Sequence, residues 1–251
     1  MKNLLILLSF FYFHTLFAQQ KTDWELWNLK NSPSEVTYIY RQALPDSLVD
    51  KTKLNSVQQT LVFDENGFIT LQSDNFGEHI AVYRYEYDHH NRIIKGNYLN
   101  VSKGWERSIR ATYNHKGQKT HIEMFDGDKL TFQRIFYYDT AGNVVKMEYF
   151  DEDLGISRDN PYKVTYVYDK KGLKIEENVQ NQVVVRYEYD KNGNPIQEKY
   201  YNYTTEDLTN TNTLQYEYDK QQNWTKQQRF YNGSLSYYTI GLIRYGDFRK
   251  K

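Results

Sequence analysis

The sequence contains no cysteine, only four prolines, no surplus charge of either sign and, past its first twenty residues, no long apolar run. Without cysteine there is no disulfide framework, no thiolate zinc site and no iron–sulfur cluster. With 32 basic and 32 acidic side chains in 251 residues, the chain lacks the excess of Lys and Arg that neutralises phosphates, so nucleic acid is not an expected partner. The basic cluster Arg249-Lys250-Lys251 reads as a solvated tail. What the chain has in abundance is rings: 25 Tyr, 13 Phe and 4 Trp. Its mean hydropathy of −0.85 would suit disorder, but disordered chains are poor in aromatics and carry net charge. Tyrosine buries a large ring while tolerating a wet edge, so the composition points to an ordered protein.

The N-terminus has the form of an export signal. Lys2 precedes an uncharged stretch, Leu4 to Phe13 is almost wholly apolar, and Leu16-Phe17-Ala18 places a small residue before Gln19. The other reading is an uncleaved anchor, since ~20 apolar residues span a bilayer, but His14 and Thr15 interrupt the run. The expected organisation is a signal peptide over 1–18, a short cap over 19–35 holding Trp24 and Trp27 and covering the first sheet edge, and one β-sheet domain over 36–251. The expected destination is export, to the periplasm, the outer-membrane surface or the exterior, with no integral membrane segment after cleavage.

One pattern recurs through the chain: aromatic-x-aromatic-Asp-x-x-Gly-Asn. It appears as Tyr85-Glu86-Tyr87-Asp88, Phe136-Tyr137-Tyr138-Asp139-Thr140-Ala141-Gly142-Asn143, Tyr166-Val167-Tyr168-Asp169-Lys170-Lys171-Gly172, Tyr187-Glu188-Tyr189-Asp190-Lys191-Asn192-Gly193-Asn194 and Tyr216-Glu217-Tyr218-Asp219. Looser copies begin at Val62 and Thr112, and successive Asp or Asn positions lie 24, 26, 25, 30, 21 and 29 residues apart. A period of two puts both rings on one face of a strand. Asp-x-x-Gly is a type I turn closed by a left-handed residue, a common hairpin connection. Asp88, Asp139, Asp169, Asp190 and Asp219 are therefore read as turn caps, and Gly142, Gly172 and Gly193 as the left-handed residues. Asn91 and Gln222 stand in for Gly elsewhere, and Gln is the departure. Six residues past the turn Asp stand Ile94, Val145, Ile175 and Ile196, and ten past it Tyr98, Met124, Tyr149, Val179 and Tyr200, which reads as one continuous buried face. The expected fold is all-β: a single antiparallel meander of about seven hairpin repeats, roughly fourteen strands. So many strands do not stay flat, so the sheet curls into a trough, a partial shell or a barrel.

The repeated Tyr-x-Tyr-Asp-x-x-Gly-Asn signature resembles the YD repeat of RHS-repeat-like proteins, over about residues 60 to 230. In large members of that family the repeats form a sheet that spirals into a hollow shell around a toxin segment. The resemblance implies the β-meander, and it is nearest to the short, secreted, stand-alone YD-repeat proteins of bacterial envelopes. It carries no catalytic residue over to this chain.

Chemistry-bearing candidates are few. The repeating turn Asp residues could supply carboxylate pairs for a hydrolase, but a capping role accounts for all of them together. His89, His90 and His115 lack ligand spacing, and Asp151-Glu152-Asp153 lacks the rest of a calcium loop. No metal site and no cofactor is expected. Rings outside the strict inward register or near loops, namely Trp105, Tyr201, Tyr203, Trp224 and Tyr231, are the candidates for stacking on sugars or holding a partner. The final strand near Ile243 is a candidate edge for β-addition. The function expected is a non-catalytic, exported binding or scaffold module with a protein or glycan partner in the envelope. The alternatives are a carbohydrate-binding module working through exposed Tyr and Trp, and third, a hydrolase.

Overall fold

The computed structural model describes residues 23, 27–42, 57–76, 79–202 and 204–246. The expected signal peptide, Trp24 and Tyr203 lie outside these residues. Every described element is a strand. β1 (Pro33–Gln42) comes first, and seven hairpins follow: β2 (Val57–Phe63) with β3 (Ile69–Phe76), β4 (His79–Tyr87) with β5 (Ile93–Asn100), β6 (Trp105–Tyr113) with β7 (Lys119–Asp126), and β8 (Lys129–Tyr138) with β9 (Val144–Asp151). The series continues as β10 (Tyr162–Tyr168) with β11 (Lys174–Val179), β12 (Gln182–Tyr189) with β13 (Pro195–Tyr201), and β14 (Leu208–Tyr218) with β15 (Trp224–Tyr231), before β16 (Ser234–Tyr245). Each strand pairs antiparallel with its neighbours in sequence, and β1 pairs with β16, Val36 opposite Ile243 and Gln42 opposite Tyr237. The sheet is a closed sixteen-stranded barrel.

The strand count corrects the expectation of about seven hairpin units. β1 and β16 carry no Asp-x-x-Gly turn between them, so no repeat announces them. They add the pair that seals the ring. The same closure removes the edge expected near Ile243, because β16 is paired on both sides, and with it the edge that residues 19–35 were to cover.

The seven turns are built alike. In Asp169 one carboxylate oxygen accepts the N–H groups of Lys171 at 2.8 Å and Leu173 at 2.9 Å. Asp190 and Asp219 do the same for Asn192 and Asn194, and for Gln221 and Asn223. Asp88 caps His90 and Arg92, and the Arg92 side chain helps hold its carboxyl down at about 2. Asp139 accepts the Asn143 N–H at 2.7 Å. The fourth residue is left-handed every time, including Gln222 at φ 66°.

A register shift follows each turn, and it corrects the expected buried face. Tyr87 faces Ile93 while Glu86 faces Lys95, so the strand leaving the turn carries an extra residue; the same slip recurs in the other six hairpins. This is a β-bulge, which re-aims the side chains beyond it. The residue five past the turn Asp therefore points inward and the sixth outward. Ile93 is 8 % exposed, whereas Ile94 is 65 % and Ile175 and Ile196 are each 37 %. The residues ten past the Asp return to the inner face, where Tyr98 is buried.

The Tyr of each Tyr-Asp pair ties its unit to the one before. Tyr87, Tyr138, Tyr168 and Tyr189 donate their hydroxyls to the carbonyls of Ile69, Lys119, Val144 and Lys174. Each acceptor is the first residue of the preceding hairpin's second strand. Tyr113 accepts the Ile93 N–H in the same place. In the first hairpin the position is Phe63, which has no hydroxyl to donate.

The inner face is lined by rings and aliphatics. Val36, Tyr38, Leu61, Phe63 and Ile69 form one cluster with Trp27 and Leu29, and Phe136, Val144, Met147, Val164 and Tyr166 another. The outer face carries cross-strand ion pairs: Lys95–Glu86, Arg186–Glu176, Lys199–Glu188, Lys226–Glu217 and Arg244–Glu35. Each is worth at most about 1 kcal/mol as a stabiliser, but together they define the surroundings. A lipid-facing barrel wall needs an apolar band about 25 Å tall, and Arg or Lys at its middle costs roughly 2–4 kcal/mol each. On this wall the ion pairs stand among outward aliphatics such as Ile94, Val167 and Leu242, while rings line the inside. No helix among the described residues is long and apolar enough to cross a membrane.

Candidate functional site

The four aromatic candidates among the described residues do not converge. Trp224 points inward and stacks on Tyr38 at 4.7 Å, which in turn stacks on Trp27 at 5.6 Å. Trp105 also lies on the inner face, edge-on to Tyr98 with the Arg107 guanidinium 4.1 Å above its ring. Tyr201 is on the outer face beneath Arg186, and Tyr231 is 51 % exposed at the rim. Tyr203 lies outside the described residues. The two inward tryptophans contradict the reading of an exposed stacking platform. The bulge places Trp224 inside, and Trp105 is in register with the inward Asn100. His89 and His90 sit at one exposed turn with rings 3.9 Å apart, and no group of metal-binding side chains forms among the described residues.

The barrel has two unlike ends. All seven turns, six capped by Asp and one by Asn114, lie at one, and residues 27–32 cross it as a plug. Asn194 and Asn223, the last residues of two copies of the signature, hold that segment. Asn223 Oδ1 accepts the Lys30 N–H at 2.6 Å, and its Nδ2 donates to the Lys30 carbonyl at 2.8 Å and to Tyr245 at 2.5 Å. Asn28 donates to Asn194 Oδ1 at 2.9 Å and to the Asn192 carbonyl at 3.0 Å. Farther round, Asp23 Oδ2 accepts the Ile69 N–H at 2.6 Å and faces Lys119. Burial pushes the Asp23 carboxyl up to about 6 and draws the Lys119 ammonium down.

At the other end, near the longer loops, the inner face changes character. Glu198 is buried and Arg229 nearly so, and they pair at 3.0 Å. Tyr200 donates to the second Glu198 oxygen at 2.7 Å, and Asn212 Nδ2 donates to it at 3.3 Å. The Tyr237 ring lies 5.3 Å from the Arg229 guanidinium. Across the β1–β16 seam, Asp74 accepts from Gln59 at 2.9 Å and Gln72 at 2.8 Å, and burial raises its carboxyl above the usual range. Tyr40 lies between the two groups, within the fields of both Asp74 and Arg229. The loop after β9 is fastened to β6 by the Arg107–Asp153 pair, with contacts at 2.6 and 3.1 Å.

Some of the buried polar atoms without a hydrogen-bond partner lie on the strands either side of the β1–β16 pairing, and Arg107 Nε on β6 lies away from it. Asn212 Oδ1, Arg229 Nε, Thr239 Oγ1, Tyr38 Oη and Gln59 Oε1 come from β14, β15, β16, β1 and β2, five strands adjacent in the ring. Each such atom costs about 1–3 kcal/mol if left unmade. An open cleft of about 370 Å³ on the other flank, between the third and fourth turns and lined by His115, Gln118, Tyr137 and Asp139, holds none of them. Sequence reasoning missed the seam because Gln59, Asn212 and Thr239 look singly like ordinary strand polar residues.

The geometry defines an antiparallel β-barrel with residues 27–32 across its turn end and a buried polar cluster, Glu198, Arg229 and Asp74 among its members, toward its loop end. No protein-family model matches the sequence, and no curated protein matches it significantly. Among solved structures, it is similar to a porin-like protein from Bacteroides uniformis, at 11% identity and a TM-score of 0.40 over 86% of this chain and 98% of that one. A porin-like protein from Bacteroides vulgatus gives 15% and 0.37 over 85% and 98%. The Photorhabdus luminescens Tc holotoxin pore gives 17% and 0.34 over 84% of this chain but only 12% of that chain. With values this low, function rests on this chain's own residues.

Proposed function

We propose that this chain is an exported, non-catalytic barrel of the cell envelope that serves as a binding or scaffold module, with its ligand or partner met at the loop end. The observation that supports the reading is the division of the wall: ion pairs face out, as suits a barrel in water, while the polar cluster of Glu198, Arg229 and Asp74 faces in. The carboxylates most deeply placed are engaged rather than free. Glu198 is bound by Arg229, Tyr200 and Asn212, and Asp74 by two amides, whereas hydrolysis needs one acid and one base with room for substrate between them. The resemblance of the repeated signature to that of stand-alone YD-repeat proteins is in keeping with the same reading. Glycan binding through exposed rings gains no support from Trp105, Tyr201, Trp224 and Tyr231, which do not share a face.

Fractionation of cells expressing the full tagged chain tests this. Release into the soluble envelope fraction, or extraction from membranes by alkaline carbonate, is expected. Retention in carbonate-washed outer membrane would show lipid embedding and end the reading of a water-facing wall.

A further inference from the structure

The outer wall is not uniform. On β1 the buried residues Val36 and Tyr38 alternate with Glu35, Thr37, Ile39 and Arg41, which therefore face out. Buried Thr239 on β16, Gln59 and Leu61 on β2, and Gln72 and Asp74 on β3 fix the outward sets of the neighbouring strands in the same way. The strand registers align these outward side chains in two rows. One runs Leu242, Thr37, Thr60, Ser73, Val82 and Leu99 from β16 to β5, and the other Ile240, Ile39, Gln58, Asn75 and Ile80. Neither row holds a charge, whereas β9 and β11 to β15 carry the Lys146–Glu148, Arg186–Glu176, Lys199–Glu188 and Lys226–Glu217 pairs. The hydroxyls of the rows are turned along the wall. Thr37 and Thr60 bond each other at 3.1 Å and the Gln58 amide donates to Thr60 at 3.4 Å, which leaves methyl groups facing out.

An uncharged sheet face rich in Ile, Val, Leu and Thr is what packs on a second sheet about 10 Å away. With strands about 4.8 Å apart and outward residues about 6.8 Å apart, the two rows and their border cover roughly 500 Å² per copy. Two such faces bury about 1,000 Å², the size at which an interface becomes specific. The charges at its border select the occupant. β1 reads Glu35, Thr37, Ile39, Arg41 along its outer side, acid at one end and base at the other. Arg41 is exposed and makes no ion pair among the described residues, and Glu35 has only a 3.6 Å contact to the exposed Arg244. A two-fold axis between Thr37 and Ile39 sets Glu35 of each copy against Arg41 of the other, and β16 against β2. With the strands aligned, Lys226 falls opposite Ser73 and Arg84 opposite Gln215, so no like charges meet. Resting on the reading of a barrel that stands in water, we infer that this panel is the interface of a two-fold dimer with a second copy of the chain.

The test is sedimentation velocity on the chain purified from the soluble envelope fraction, over roughly 1–300 µM, where an interface of this size associates. A monomer that passes to a dimer and no further is expected. Leu242→Lys buries a charge twice in the dimer and should weaken association at least about hundredfold. Ile175→Lys, on the far wall at β11, should associate as the parent does. Arg41→Glu alone and Glu35→Arg alone should each weaken it about tenfold. An equimolar mixture of those two, or the double variant carrying both changes, should recover the dimer, because the charges again oppose. If Glu35→Arg lowers the melting temperature through Arg244, Leu242→Lys, at a side chain 55 % exposed, carries the test. The inference is overturned if the parent stays monomeric throughout, if Leu242→Lys dimerises like the parent, if Ile175→Lys dissociates, or if folded charge-swapped chains do not recover. A folded monomer in buffer overturns the dimer alone and leaves the water-facing barrel standing. A chain that leaves the membrane only in detergent ends that reading and the inference with it, and the panel then meets lipid.

Discussion

Asn223→Ala should unseat the N-terminal plug. The side chain is 1 % exposed and makes three hydrogen bonds, two to the Lys30 backbone and one to the Tyr245 hydroxyl. Each is worth about 1 kcal/mol net. Lys30 itself is at the surface, so water can partly replace the lost partner, and the total is about 2–3 kcal/mol. If plug and barrel unfold together, the melting temperature falls by roughly 4–12 °C for a domain of this size. If the plug opens on its own, its open population rises by roughly 30- to 140-fold instead. Opening exposes Lys30 to trypsin and breaks the Trp27–Tyr38–Trp224 stack. Thermal melts, the rate of cleavage at Lys30 by mass spectrometry and tryptophan emission together distinguish the two routes. A variant with parental melting, cleavage and emission would refute the assignment of Asn223 as the latch. Asn143→Ala is the matched control, because that amide serves its own Asp139 and no plug residue.

Three further outcomes follow from the same geometry. Tyr168→Phe removes the bond to the buried Val144 carbonyl and should cost about 1–2 kcal/mol in urea unfolding; no loss of midpoint would mean the hydroxyl ties are decorative. Gln222→Gly relieves a left-handed residue at φ 66° and should stabilise by up to about 1 kcal/mol, read as a higher melting temperature. Asp23 is ordinarily a carboxyl of 3.8 and stands at about 6 in the fold, with Lys119, Asp64 and the backbone of Ile69 around it. The native state therefore holds the proton more tightly, and stability from this group is greatest below pH 4 and is lost as pH rises to about 6, by at most ~3 kcal/mol. Asp23→Asn should flatten the stability profile across pH 4–6, and an unchanged slope would remove Asp23 from the account.

Local chemistry made the hairpins legible. Asp169 and Gly172 dictate a turn wherever they stand, and Tyr166 and Tyr168 dictate a face. The pairing of β1 with β16 was not legible, because nothing joins Val36 to Ile243 except the accumulated curl of fourteen intervening strands. The bulge was hidden for a different reason. Ile93 and Ile94 are the same residue type, so alternation alone cannot say which one turns inward. The Tyr-Asp pair read as ring plus cap, yet the Tyr hydroxyl's reach into the previous unit appears only when two hairpins lie side by side. The lumenal seam draws one polar atom from each of five strands, two of them near the chain's start and three near its end, and no window of sequence holds them together.

The seam between β1 and β16 also sets a schedule. Every other strand finds its neighbour within a few dozen residues of being made, but the first must wait for the last. Until Ser234–Tyr245 has emerged, the growing sheet has two bare rims, and a polypeptide halted before that point would present both to any passing strand. Completion is thus an all-or-nothing event on which protection of the whole molecule against sticking to its copies depends.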